Sequence, residues 1–438
     1  MSEETRTIKV DYLARVEGEG ALTLRFSGDE VKEVSLRIFE PPRFFEAFLR
    51  GRSALETPDI TARICGICPV AYQMSACAAI EDAIDLTMPP ELLAFRRLLY
   101  CGEWIESHVL HMVMLHAPDF LGYPDAMSMA REHGQRVRDG LRIKKAGNAI
   151  VRMLGGREIH PINVKIGGFY RLPTRHEMRE LAMELEASRG LAEALVRWMA
   201  TFDFPELERD VPFVALTPDT GVYPFIEGSL GSTVPLAPTD SQRVPASRWA
   251  EHFEEHHVER SNALHGRTVD GRAYLVGPQA RFALNFGSLD PEHQALALEI
   301  GLNPPVINPF RSLLVRGVET VYALDEAARL CRTLSADGDA SVPVELRAGV
   351  GYGYSEAPRG VLYHRYELDE KGDILDACIV PPTAQNQPAI EDDLRALAPS
   401  LLALAQEPAT LRAEQAIRNY DPCISCSVHF LTLKKEEV

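Results

Sequence analysis

At 438 residues and 46% apolar content the chain can bury a large core, as one big domain or as two to three ordinary ones. Its 63 acidic against 46 basic side chains give a formal net charge of -17, a surface that repels nucleic acid and anionic lipid. The N-terminus MSEETRTIKVDYLARVEGEG lacks the apolar region of a signal peptide, and no segment approaches the roughly 18 uninterrupted apolar residues of a membrane span, so a cytoplasmic protein with no direct membrane span is expected.

Residues 7–26 and 31–39 alternate apolar and polar positions around Gly28-Asp29-Glu30, which predicts a β-hairpin or small sheet within residues 1–40. From about residue 43 the period changes. Segments near 43–51, 68–85, 91–117, 134–153, 174–202 and 246–263 carry apolar residues at three- and four-residue spacing and predict a largely helical body. Residues 203–245, rich in Pro, Gly, Thr and Asp, read as an irregular surface excursion or insertion. A helix near 318–335, short strands within 342–380 and helices near 390–406 and 409–419 complete a mainly α fold with small β elements, an α+β class.

Eight cysteines are too few for a disulfide scaffold in so long a chain, and four fall in two pairs of CxxC spacing. Cys77, Cys101, Cys331 and Cys378 sit singly among apolar or small neighbours and read as reduced structural thiols. The pairs are Arg63-Ile64-Cys65-Gly66-Ile67-Cys68-Pro69 and Asp421-Pro422-Cys423-Ile424-Ser425-Cys426. Each spacing lets two sulfurs converge on one ion, and spacing alone leaves structural zinc, a dithiol redox pair and an iron–sulfur cluster all open. The pairs lie near opposite ends of the sequence, so a shared metal requires the whole chain, 1–438, to close around it as one domain.

The flanking residues narrow the choice. RICGICPVAY together with DPCISCSVH resembles the paired signatures of nickel–iron hydrogenase large subunits, and RVEGEG, RFFEAFLRGR, HAPDFLGY, GGREIHP, EAPRGVLYHRY and VPPTAQNQ extend the resemblance over most of the chain. Their wording is most similar to the cytoplasmic, bidirectional NAD(P)-linked branch, including sulfhydrogenase-type enzymes. The resemblance implies the large-subunit fold, with a central bundle of long helices, and reversible heterolytic cleavage of H2 to two protons and two electrons. The cofactors it implies are nickel and an iron carrying CO and two cyanides. Cys65 and Cys423 would be terminal on nickel, while Cys68 and Cys426 would bridge to iron. Glu17, in the RxEG motif, would relay protons from the terminal cysteine; Glu19, where many relatives have histidine, reads as a surface residue. Arg359 would lie over the metals with Asp421 or Asp119 as its carboxylate partner, and either it or the Cys423 thiolate would accept the proton from H2.

Pro358, Leu362, Val380 and Pro381 would line the pocket around the diatomic ligands, with the Thr383 hydroxyl on the second cyanide. VPPTAQN is one residue longer than in many relatives, so either Pro382 or Thr383 faces the iron. A magnesium site would take Glu46, His429 and the Leu375 carbonyl. His108, His111 and His116 read as structural residues or as supports behind the ligands.

No Gly-rich dinucleotide fingerprint follows a predicted strand, and no further cysteines have cluster spacing. Partners are therefore expected: an iron–sulfur small subunit, flavin- and iron–sulfur-containing diaphorase subunits, nickel chaperones, and a maturation protease that would cut after His429 and remove the tail 430–438. The rival readings are the quinone-site subunit of complex I, which has lost the metal ligands, an H2 sensor, and a zinc-bound scaffold.

Overall fold

The computed structural model describes residues 5–236 and 243–428. Strands β1 (Thr5–Val10), β2 (Gly20–Ser27) and β3 (Glu30–Ile38) form an antiparallel sheet in the order β1-β2-β3. Ile8, Leu22, Leu24, Leu36 and Ile38 are buried on it. The strand expected from residue 7 to 26 is interrupted. Arg15 and Gly18 adopt φ of 60° and 91°, which takes residues 11–19 out of the sheet and sends the RVEGEG motif to the far end of the sequence, where Glu17 bridges to Cys423.

Helices α1 (Phe45–Leu49), α2 (Thr57–Thr61), α3 (Pro69–Ala83) and α4 (Pro90–Val109) follow. The turns of α4 widen into a π-helical segment, Leu110–His116, before α5 (Ala117–Leu121). Helix α6 (Ala126–Gly155) starts where Asp125 accepts the Ser128 N–H and stops at left-handed Gly156. Two short strands, β4 (Val164–Lys165) and β5 (Gly168–Phe169), lead to α7 (Arg175–Met199), which opens on a reciprocal Thr174/Glu177 capping box.

Residues 203–245, expected as an irregular surface excursion, hold strands β6 (Val214–Thr217), β7 (Ser229–Ser232) and β8 (Arg243–Val244) and send Tyr223 and Phe225 into the core against Trp104. The helix expected over 246–263 is instead a 3-10 turn followed by β9 (Phe253–His256), paired with β10 (His265–Thr268). Trp249 and Phe253 are spaced for a helix, yet they bury by stacking on each other, with Trp249 also stacked on Tyr363 and Phe253 tilted against Tyr274, so aromatic packing from outside the segment overrides the local period.

Then come α8 (Pro278–Asn285), α9 (Pro291–Glu299) and α10 (Ser312–Thr333). The long helices α4, α6, α7 and α10 pack together as the central bundle, with Leu98, Ile105, Ile150, Leu185, Val318 and Val321 inside. Helices α4 and α6 touch backbone to backbone: a Cβ on Gly147 would lie 2.8 Å from both the Glu106 nitrogen and the Gly102 carbonyl oxygen.

Strands β11 (Gly349–Ala357), β12 (Gly360–Leu368) and β13 (Ile374–Val380) form a second antiparallel sheet laid on α3. Helix α11 (Pro382–Leu402) begins eight residues before its expected start at 390, because Pro382 occupies its first position, where a missing N–H costs nothing. Helix α12 (Gln406–Arg418) delivers the chain to its second cysteine pair. Among the described residues no helix is long and apolar enough to cross a membrane.

Candidate metal centre

Cys65 lies in the turn between α2 and α3, and Cys68 immediately precedes Pro69, the first residue of α3. Cys423 follows α12, and Cys426 sits in the short 3-10 turn Ser425–Val428. The two pairs meet. The sulfurs of Cys65 and Cys423 are 3.4 Å apart, those of Cys68 and Cys426 3.6 Å, and all four lie within 4.8 Å of one another. None is more than 3% exposed. These separations far exceed a disulfide bond of about 2.05 Å, and all four thiols are free. Converging soft donors without a covalent bond between them fit a thiophilic transition metal.

Glu103 on α4 accepts the N–H groups of Val70 and Ala71 at 2.6 and 3.1 Å, fixing the start of α3 behind the thiols. Hydrogen bonds from Cys423, Cys426 and Cys68 hold the Cys65 thiol well below its ordinary range, while burial pushes Cys423 and Cys426 up.

Arg359 occupies the turn between β11 and β12. Arg281 clamps that turn, donating to the Ala357 and Pro358 carbonyls at 2.9 and 3.0 Å. The Arg359 guanidinium, 3% exposed, donates through Nε to the Asp421 carbonyl at 2.6 Å and pairs with its carboxylate at 3.0 Å. Burial opposes the guanidinium charge, but Asp421 and the cysteine sulfurs hold it on. Asp119, the other carboxylate expected beside Arg359, is engaged elsewhere: Arg418 donates to it at 2.7 and 2.9 Å, His116 lies 3.1 Å away, and Arg15 also pairs with it. With two guanidiniums already on Asp119, Asp421 alone serves Arg359.

The Glu17 carboxylate accepts from the Cys423 thiol at 3.2 Å and from the Ser425 N–H at 3.1 Å, and the Ser425 hydroxyl also bonds it. Burial raises this carboxyl above its ordinary value, and the charge on Cys65 adds to the effect. Across the centre the Thr383 hydroxyl accepts the Cys423 N–H at 3.0 Å, so of Pro382 and Thr383 it is the threonine whose side chain meets the cysteine segment. Pro358, Leu362, Val380 and Pro381 are all buried.

Glu46 accepts the Ile379 N–H at 2.8 Å, and burial lifts its carboxyl to about 7. Leu375 does not lie beside it. It precedes Ile379 by four residues on an extended strand, about 13 Å at roughly 3.3 Å per residue, and its side chain is exposed. The peptide that meets Glu46 joins Cys378 to Ile379. Glu255 on β9, unmarked within HFEEHHVER, is a second carboxylate here; burial and the Glu46 charge raise it well above its ordinary value. His429 lies outside the described residues.

The three histidines stay out of the thiol cluster. His108 meets Glu319 at 3.0 Å, His111 the Arg418 carbonyl at 2.7 Å, and His116 Asn419 at 2.9 Å as well as Asp119. Ser425 and Glu103 were also missed by sequence reasoning. Ser425 lay inside the second cysteine motif, and nothing local marked Glu103 as buried.

A family model described as nickel-dependent hydrogenase matches residues 43–140 and 268–429. The chain belongs to the nickel-dependent hydrogenase family. Within it the chain is similar to the sulfhydrogenase 2 alpha subunit of Pyrococcus furiosus, 35% identical over 97% of this chain and 100% of that one. It is also similar to the coenzyme F420 hydrogenase alpha subunit of Methanocaldococcus jannaschii, 28% identical over 99% and 96%. Among solved structures, an NAD+-reducing NiFe-hydrogenase in the H2-reduced state superposes with a TM-score of 0.89 at 24% identity, covering 97% of this chain and 99% of that one. A NiFeSe-hydrogenase of Dm. baculatum superposes at 0.77 and 20%, covering 97% and 100%. This hydrogenase chain is a catalytic subunit, the one that carries the four cysteines positioned for the metal.

Proposed function

We propose that this subunit splits H2 reversibly inside a heteromeric cytoplasmic enzyme, passing electrons to an iron–sulfur small subunit and, through diaphorase subunits, to NAD(P) or a similar carrier. The reading rests on one observation above all: four free thiols from opposite ends of the chain converge in a buried site, with a carboxylate on one of them and a guanidinium beside them. The carrier is suggested by relatives named sulfhydrogenase and by the fold of an NAD+-reducing enzyme.

Nickel and an iron bearing CO and two cyanides, bound by these thiols, would supply the polarisation of H2 and the uptake of its electrons. Cys65, Cys68, Cys423 and Cys426 would together hold these metals. Glu17 stands where a proton leaving the Cys423 sulfur has its nearest acceptor, and Ser425 orients the carboxylate. Arg359, kept charged by Asp421, presents a planar donor fork suited to an anionic cyanide. Thr383 keeps an O–H for the second cyanide while its oxygen steadies Cys423. Pro358, Leu362, Val380 and Pro381 keep water out.

A magnesium ion held by Glu46 and His429, with Glu255 nearby, would favour the charged form of two carboxylates that burial disfavours. Nickel chaperones and a protease acting after His429 complete the proposed maturation; the tail 430–438 lies outside the described residues.

The test is metal analysis of anaerobically prepared complex from its native host, with H2-dependent viologen reduction. About one nickel per chain, lost together with activity in Cys426→Ser, is the expected result. Zinc without nickel, even after the maturation proteins are supplied, would replace this reading with a structural metal protein.

A further inference from the structure

Arg316 on α10 is a buried cation to which the function proposed above gives no task. It is 1% exposed, and its Nη1 donates to the Ser312 hydroxyl and to the Asn419 carbonyl, each at 3.0 Å; among the described residues no carboxylate is bonded to it. Burial lowers the guanidinium to about 10, the charges of Asp421 and Glu319 oppose that fall, and those of Arg359 and Arg281 add to it. A guanidinium so placed is costly unless its donors find partners.

Arg316 and Arg359 line one cavity of about 10 Å³, the least space that holds a water molecule. Several polar groups of its wall are already engaged: Gln279 donates to the Val306 and Asn308 carbonyls, Asn386 to the Val276 carbonyl, Ser312 to the Asn419 carbonyl and Tyr420 to Asp393. Two fully buried groups of the wall are not. Arg316 Nε and the Asn419 side-chain nitrogen have no hydrogen-bond partner among the described residues, the other end of the Asn419 amide being taken by His116 at 2.9 Å. A third such atom belongs to the turn that carries Asn419: Asp421 Oδ2 lies 3.0 Å from Arg359 yet accepts no hydrogen bond. Folded proteins rarely leave buried polar atoms unsatisfied, and a water molecule, which makes about three hydrogen bonds and can donate as well as accept, meets all three.

We propose that this cavity holds one water molecule bonded to Arg316 Nε, the Asn419 amide and the Asp421 carboxylate, and that Arg316 acts through it as a positioning residue, holding Asp421 against Arg359. Arg359 then keeps one orientation toward an anionic cyanide. That last step rests on the nickel–iron reading of the four thiols, whereas the water does not. The two fail differently: absence of nickel from the wild-type complex would sink the metal reading, and absence of the water would sink the bridge.

The experiment compares wild type, Arg316→Gln and Arg316→Lys as complete complexes matured in the native host. Nickel per chain, the cyanide stretching bands in the infrared and the ordered water in crystals of each complex are recorded. Glutamine puts a hydrogen-bonding atom where Arg316 has Nε but carries no charge; lysine keeps the charge and puts a methylene there. Arg316→Gln should keep the water and the wild-type bands, and Arg316→Lys should lose the water and shift the bands. Bands that shift while the water stays, or stay while the water leaves, overturn the role of Arg316. If neither variant accumulates with nickel, the wild-type density decides: a water within hydrogen-bond reach of Arg316 Nε, Asn419 and Asp421 supports the bridge, and an empty cavity, or a water that misses Asp421, overturns it.

Discussion

Glu17 carries the sharpest consequence at the scale of single residues. Its carboxylate touches the Cys423 sulfur and the Ser425 amide, and a glutamine keeps that shape while losing the ability to carry a proton as an acid. Glu17→Gln should retain nickel and lose roughly 100-fold or more in H2 oxidation, within the range assigned to positioned acid–base groups. Near-normal turnover at full nickel occupancy would remove Glu17 from the proton path. That Glu17, Arg359 and the four cysteines belong near one centre was legible because each sits in a short motif resembling the family's, whereas Asp421 was only one of two candidate partners for Arg359. Glu255 was not legible: its meaning depends on the fold bringing it near Glu46, and nothing in its local sequence marks that approach.

Among elements, α3 matters most, since it starts directly after Cys68 and lies on β11. A Cβ on Gly351 would fall 2.0 Å from the Ala79 carbonyl oxygen, and one on Gly353 2.6 Å from that of Ser75. Backbone cannot give way as a flexible side chain can. Gly351→Ala should therefore push α3 off the sheet, lowering thermal stability by an amount matching about 1–3 kcal/mol and reducing nickel retention on dialysis; unchanged retention would mean that the helix start, pinned by Glu103, is independent of this contact.

The bundle makes its own prediction through Glu319 on α10. Burial works against its carboxylate, but Arg281 and His108 overcome that and hold it down to about 2. A carboxyl depressed in the folded state stabilises the fold above its unfolded value and loses that contribution as pH falls toward the folded value. Denaturant midpoints should drop between about pH 4.5 and 2, whereas Glu319→Gln should begin lower at neutral pH and fall less steeply; parallel slopes would exclude the triad as an acid-sensitive element. The bundle helices were readable from periodicity. The strand at 253–256 was not, because contacts outside it decide its conformation: Phe253 buries against Tyr274, and Trp249 just before the strand stacks on Tyr363.

The whole molecule has to bring residues from both termini to one point, and the cysteine spacing already implied as much. How it does so was not legible. Asp119 looked like a partner for Arg359, since a sequence shows that a buried charge needs a counter-charge without showing which one. In the structure Asp119 ties two distant segments to its own. Arg15 reaches from the N-terminal loop and also donates to the Leu115 carbonyl at 2.8 Å; Arg418 comes from the end of α12 and also donates to the Ala14 carbonyl at 2.9 Å; His116 comes from the π-helical segment. The Glu17 and Cys423 segments both continue from this knot. Burial opposes the Asp119 carboxylate, yet the hydrogen bond from His116 and the Arg418 guanidinium hold it well below its ordinary value. Removing it leaves two guanidiniums in a poorly solvated place with only Glu414, 4.0 Å from Arg418, as a carboxylate nearby, a loss of about 3 kcal/mol. Asp119→Ala should unfold at markedly lower denaturant concentration. Because the knot sets how the first and last segments meet, it should also accumulate metal-poor protein even with the maturation proteins in excess. Asp119→Asn, which keeps hydrogen-bond acceptors, should fall between the two. If Asp119→Ala is destabilised but still takes up one nickel per chain with wild-type affinity, the knot stabilises the fold without governing the approach of the two cysteine pairs, and their alignment must come from the Glu17 to Cys423 bridge alone.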